Sequence, residues 1–82
     1  MTLQEKIRIL LVRRGNMSEA ELARKLTAAG LAISAQTLNG RMKRGRFSEP
    51  ELKKIGEVLN CAVTMPPPPA PVFTMNDTGE TV

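Results

Sequence analysis

Apolar residues recur at three- and four-residue intervals in four successive blocks between Leu3 and Leu59, and a hydroxyl side chain stands just before each block. In the first, Leu3, Ile7, Leu10 and Leu11 follow Thr2, and Thr2 with Glu5 fits the capping-box pattern in which both side chains satisfy free amides at a helix start. This helix is expected to end near Arg14, with Gly15 as its left-handed cap. The second block repeats the device: Ser18 as cap, Glu21 reaching back, Met17 stapled to Leu22, and Leu22, Ala23 and Leu26 as the buried stripe up to a stop at Gly30. A short apolar connector, Leu31-Ala32-Ile33, leads to Ser34, which caps a third helix over residues 34–44 with Ile33 and Leu38 as its staple. The fourth opens at Ser48 with Glu51 as box partner, Phe47 stapled to Leu52 and Pro50 in the first turn, where its missing amide does little harm. Leu52, Ile55, Val58 and Leu59 are its inward stripe, and Asn60 is its expected cap.

After Asn60 the period changes. Cys61 to Met65 and Val72 to Met75 read as two short strands around Pro66-Pro67-Pro68-Pro69-Ala70-Pro71, followed by a turn at Asn76 to Gly79. The prolines cannot donate to a sheet and belong in an extended linker or loop. A lone hairpin is marginal in water, so the strands must pack on the helices or pair with a second chain; the alternative is a frayed tail. The predicted fold is therefore mostly α, four helices followed by a short C-terminal hairpin or extended arm. Residues 1–60 form the main domain and 61–82 an arm whose Val63, Met65, Val72 and Phe73 are candidate dimer contacts.

Eighty-two residues allow one small core, which the lack of Trp and Tyr makes aliphatic. The formal charge of +4 is unevenly spread: every Lys and Arg lies between Lys6 and Lys54, and the segment after Asn60 carries only Asp77 and Glu80. A basic domain of this kind suits a polyanion, because neutralising phosphates releases counterions, although a merely soluble basic surface is the other reading. Cys61 is the single cysteine and histidine is absent, which removes a disulfide framework, a zinc site and Cys-His or Ser-His catalysis within one chain. The expectation is a cytoplasmic protein that is not an enzyme and carries no cofactor or metal. The apolar cluster around Ile7 to Val12 is broken by Arg8 and followed by Arg13-Arg14, unlike a signal peptide.

Cationic charge is densest in the third helix and its exit. At helical spacing Leu38 and Met42 face inward, which leaves Gln36, Asn39, Gly40 and Lys43 outward, a set suited to base edges and phosphates. Gly40 costs the helix roughly 1 kcal/mol relative to alanine. Its reason is either a close approach of a partner or a neighbouring helix, or chance.

Residues 17–26 and 33–38, Met17-Ser18-Glu19-Ala20-Glu21-Leu22-Ala23-Arg24-Lys25-Leu26 and Ile33-Ser34-Ala35-Gln36-Thr37-Leu38, resemble the helix-turn-helix of phage-repressor and Cro-like regulators, and residues 48–60 resemble that family's continuation. The resemblance implies that the third helix lies in the major groove of double-stranded DNA, with Ala35, Gln36, Thr37, Asn39 and Gly40 at base edges and Gln36 placed to pair with adenine. It further implies phosphate contacts from Lys43, Arg44 and Arg46, and from the amino end of the second helix at Ser18. Three features depart from the family: a longer connection through Thr27 to Ala32, which means a longer second helix or a looped turn; Glu19 where a glutamine often braces the backbone; and no fifth helix.

The function so expected is a sequence-specific transcriptional regulator, a repressor of a phage or mobile element by resemblance, acting as a homodimer on a roughly palindromic site because one small reading helix buries too little surface alone. The alternative is a protein-interaction module on the same scaffold that docks a partner through the C-terminal arm. RNA binding is disfavoured by the lack of exposed aromatics.

Overall fold

The computed structural model describes residues 2–65 and 71–82. Its chain order is α1 (Leu3–Arg13), α2 (Glu19–Ala28), α3 (Ala35–Arg44), α4 (Glu49–Val58), β1 (Cys61–Thr64) and β2 (Val72–Met75). Of the expected linker from Pro66 to Pro71, residues 66–70 lie outside the described residues.

All four helices begin where a hydroxyl takes up a free amide. Thr2 and Ser48 close full capping boxes with Glu5 and Glu51. Ser34 accepts from the Thr37 amide and Ser18 from the Glu21 amide at 3.1 Å. The Glu21 carboxylate makes no return bond, so the box expected there is only half formed.

The helix ends differ in kind. At the end of α1 the backbone turns left-handed at both Gly15 (φ 85°) and Asn16 (φ 55°), which lets the Met17 amide reach the Leu11 carbonyl at 3.0 Å. At the end of α2 the Leu31 amide donates to the Leu26 carbonyl (2.8 Å) and the Gly30 amide to that of Thr27 (3.2 Å), the two bonds of a Schellman stop with Gly30 at φ 107°. The long connection is thereby resolved: α2 takes up Thr27 and Ala28, and after the stop residues 31–34 run without regular structure to the Ser34 cap. The Thr27 hydroxyl donates to the Ala23 carbonyl (2.9 Å) and meets the Ile33 amide (3.4 Å), tying that connector to α2.

One core takes residues from every element. Ile7, Leu10, Leu22, Leu26, Leu38, Ile55 and Leu59 are fully buried, and with them Phe73 from β2. The hairpin therefore folds back onto the helices and does not project as an arm. β1 and β2 pair antiparallel in the register Cys61 with Met75 and Val63 with Phe73. On the far side of β2 the last residues add a rung that the sequence pattern did not suggest: Phe73 and Val82 exchange both backbone bonds, at 3.1 and 2.8 Å. Four-residue strands need such support, and α4 supplies more from the other face.

Gly56 makes that second contact possible. A Cβ there would collide with the Val63 side chain and stand 3.0 Å from the Cys61 carbonyl oxygen, so α4 lies against β1 only because this helical position has no side chain. Cys61 is buried beside it, and burial raises the pKa of its thiol.

Candidate nucleic-acid interface

The ten residues of α3, about 15 Å of helix, are fixed by Leu38 and Met42 in the core, by the Ser34 cap and by a left-handed Gly45 (φ 65°) at the exit. There the Arg46 amide donates to the Arg41 carbonyl at 3.1 Å, so the exit turn is as defined as the start. This anchoring leaves Gln36, Thr37, Lys43, Arg44 and Arg46 exposed, with Ala35, Asn39 and Gly40 half-buried on the flanks.

The expected base-contact residues are not equally free. Gln36 makes no side-chain hydrogen bond among the described residues. The Thr37 hydroxyl accepts from Ser34 Oγ at 3.0 Å. Asn39 donates from Nδ2 to Glu19 Oε2 at 2.6 Å. Ala35 packs against the core and, with Ala20, Ala23, Arg24 and Thr27, lines a shallow groove of about 390 Å³ between α2 and the start of α3. Over Gly40 lies the guanidinium of Arg44, 3.3 Å from where a Cβ would be. No neighbouring helix approaches Gly40, so the helix-packing reason for this glycine does not hold.

Ser18 is exposed, but its oxygen is engaged with the Glu21 amide. Glu19, which the resemblance would set against a phosphate backbone, is turned toward its neighbours: beside its bond from Asn39, Oε1 stands 3.9 Å from Arg8 Nη2.

At the exit of α3 an open cleft of about 450 Å³ is lined by Arg41, Arg44, Arg46, Phe47, Ser48 and Glu51. Arg41 is paired to Glu51, whose other oxygen accepts from the Ser48 amide at 2.8 Å. That amide, with the Ser48 hydroxyl and Arg41 adding to it, holds the Glu51 carboxyl below its usual pKa. Arg44 and Arg46 have no carboxylate partner among the described residues.

The pairing of charges over the described residues gives the interface its outline. Arg13 and Arg14 on α1 are neutralised by Glu80 and Asp77 of the C-terminal segment, at 3.0 and 2.8 Å. Lys6 donates to the Pro71 carbonyl at 2.8 Å. Lys53 and Lys54 pair within α4 with Glu49 and Glu57. The cations without a carboxylate or carbonyl partner are Arg24, Lys25, Lys43, Arg44 and Arg46, all on α2, α3 and the α3 exit. Arg24 and Lys25 are the members that the sequence pattern did not single out, and the groove that Arg24 borders exists only once the connector folds back on α2.

Residues 2–63 match a family described as Domain of unknown function (DUF6471). The chain belongs to this family. The DUF6471 match covers all four helices and ends inside β1, so it contains the whole α2–α3 surface, while β2 and the segment that neutralises α1 lie beyond it. No curated protein and no solved structure matches the chain. No helix among the described residues is long and apolar enough to cross a membrane.

The proposed dimer contacts fall into two groups. Val63, Met65 and Val72 are half-buried and keep some surface on the hairpin. Phe73 is 0 % exposed and cannot offer its side chain to a second chain, a correction that follows from the alternation of β2, which turns Phe73 and Met75 into the core.

Proposed function

We propose that this protein binds double-stranded DNA, with α3 entering the major groove as the reading helix of a helix-turn-helix formed by α2 and α3. The observation that supports this best is the segregation of charge: the C-terminal carboxylates pair with Arg13 and Arg14, and among the described residues the cations left without a partner lie on α2, α3 and the α3 exit, four of them (Arg24, Lys43, Arg44 and Arg46) on or beside a helix whose outward residues include amides, a hydroxyl and a glycine. Clustered unpaired cations attract a polyanion, and the free Gln36 amide is the group that reads adenine in that groove.

In this reading Arg44 and Arg46 at the carboxyl end of α3 and Arg24 near its amino end hold phosphates flanking the groove. Such contacts set position, and Gln36 sets sequence. The protein acts as a transcriptional regulator, a repressor by its resemblance to phage-repressor and Cro-like proteins, on a two-fold site as a homodimer, because one reading helix buries too little surface for high specificity.

Fluorescence anisotropy on duplexes enriched from a random pool tests the reading. Affinity is expected to fall steeply as salt rises and the enriched sites to be palindromic. An absence of enrichment, or affinity indifferent to salt, would overturn it.

A further inference from the structure

The hydrogen bond between Asn39 and Glu19 decides what kind of base Asn39 can read. A carboxylate has no hydrogen to give, so the group facing Glu19 Oε2 at 2.6 Å must be the amide nitrogen of Asn39, and its carbonyl oxygen Oδ1 is turned away. Oδ1 has no partner among the described residues, and no side-chain oxygen or nitrogen there is both buried and unpartnered, so Oδ1 reaches solvent. The lock is anchored at both ends: Glu19 opens α2 and faces Arg8 of α1, and Asn39 lies on α3 one turn from Gln36 on the same outward side.

We infer that Asn39 is a specificity-determining residue whose amide is held with Oδ1 free to accept, which directs it to the exocyclic amines that the major groove presents, N6 of adenine or N4 of cytosine. A free asparagine would pair with adenine through both donor and acceptor, or turn to donate to the O6 and N7 of guanine or the O4 of thymine. Held by Glu19, the amide cannot turn over: Oδ1 stays free with at most one amide hydrogen beside it, which favours an amine-bearing base over the oxygens of guanine and thymine. Glu19 is then a positioning residue: the carboxylate that would repel a phosphate backbone is spent on orienting a reader. This assignment rests on the DNA-binding reading of α3 and gives Asn39 and Gln36 different roles, one an amide held in a fixed orientation and the other an amide free to turn.

Sites are selected from a random duplex pool with the wild-type chain and with Asn39→Ala, which identifies the base pair that Asn39 senses. In that pair the amine-bearing base is then replaced by its analogue without the amine, purine for adenine or 2-pyrimidinone for cytosine. Wild type is expected to lose about tenfold in affinity on the analogue and Asn39→Ala to lose nothing. Glu19→Gln, close to isosteric and checked for folding by its thermal midpoint, frees the amide to turn and should show a reduced loss. Equal binding of wild type to natural and analogue duplexes, or identical selected sites for wild type and Asn39→Ala, would overturn the inference while leaving DNA binding through Gln36 in place. A pool from which wild type enriches nothing would overturn both.

Discussion

The Arg14 guanidinium holds the Asp77 carboxylate by two parallel bonds, Nη1 to Oδ2 at 2.8 Å and Nη2 to Oδ1 at 2.9 Å, across 63 positions of sequence. Its Nε donates to the Leu59 carbonyl at 2.8 Å, so one side chain ties the end of α1 to the end of α4 and to the turn after β2. This fork is what removes Arg14 from the basic surface and fastens the hairpin to the helices.

The fork makes stability depend on acid. Asp77 is drawn from its usual value near 3.8 down to about 2, mainly by the bond from Arg14. A carboxyl with a lowered folded-state pKa contributes stability that is fully present above its unfolded value and is lost as pH falls through the folded one. Glu5 and Glu51 are lowered in the same direction by the backbone amides of Thr2 and Ser48. Thermal midpoints followed by circular dichroism should therefore be flat from pH 7 to 5 and fall from about pH 4 to pH 2. Asp77→Asn should melt lower at neutral pH and fall less steeply in acid, with the capping glutamates supplying what remains. A midpoint unchanged between pH 5 and pH 2 would contradict the assignment.

Phe73 tests whether the hairpin belongs to the core. Its ring is fully buried among helix residues, so Phe73→Ala should cost about 3–5 kcal/mol in urea denaturation, a large part of the stability of a chain this small. Were the hairpin only a dimer arm, the same substitution would weaken association and leave the monomer's unfolding midpoint where it was.

Two glycines inside helices should respond oppositely to alanine. Alanine ordinarily stabilises a helix interior by about 1 kcal/mol relative to glycine. At Gly40 the new methyl meets only the flexible end of Arg44, so Gly40→Ala should gain up to that amount. At Gly56 it meets the Val63 side chain and the Cys61 backbone, and Gly56→Ala should instead lose about 1–3 kcal/mol as α4 is pushed off β1. Urea midpoints of the two variants check both signs.

That contrast shows where sequence reading stops. Helix starts were legible because a cap is a local device: Ser34 and its Thr37 amide are three residues apart, and nothing distant enters. The inward face of α3 was legible for the same reason, as Leu38 and Met42 obey the helical period. Nothing in the helical period separates Gly56 from Gly40; what separates them is β1, which folds back against α4 at Gly56. The same holds for Glu19: its carboxylate looked hostile to DNA until its partner on α3 was known, twenty positions away. The Asp77 and Glu80 charges looked like a separate acidic tail because their pairing with Arg14 and Arg13 is made by the fold.

The division between compensated and free cations is itself measurable in the DNA-binding reading. Each phosphate neutralised by the protein steepens the dependence of log affinity on log salt by about 0.9. Arg44→Ala and Lys43→Ala should therefore each reduce that slope by about 1 and weaken binding evenly across sequences, since phosphate contacts carry no base preference. Arg13, whose charge Glu80 already meets at 3.0 Å, is the control: Arg13→Ala should leave the slope unchanged. Fluorescence anisotropy from low to moderate salt decides between them. Equal slopes for Arg13→Ala and Arg44→Ala, both shallower than wild type, would mean that the basic surface acts as a whole and that α3 is not its focus.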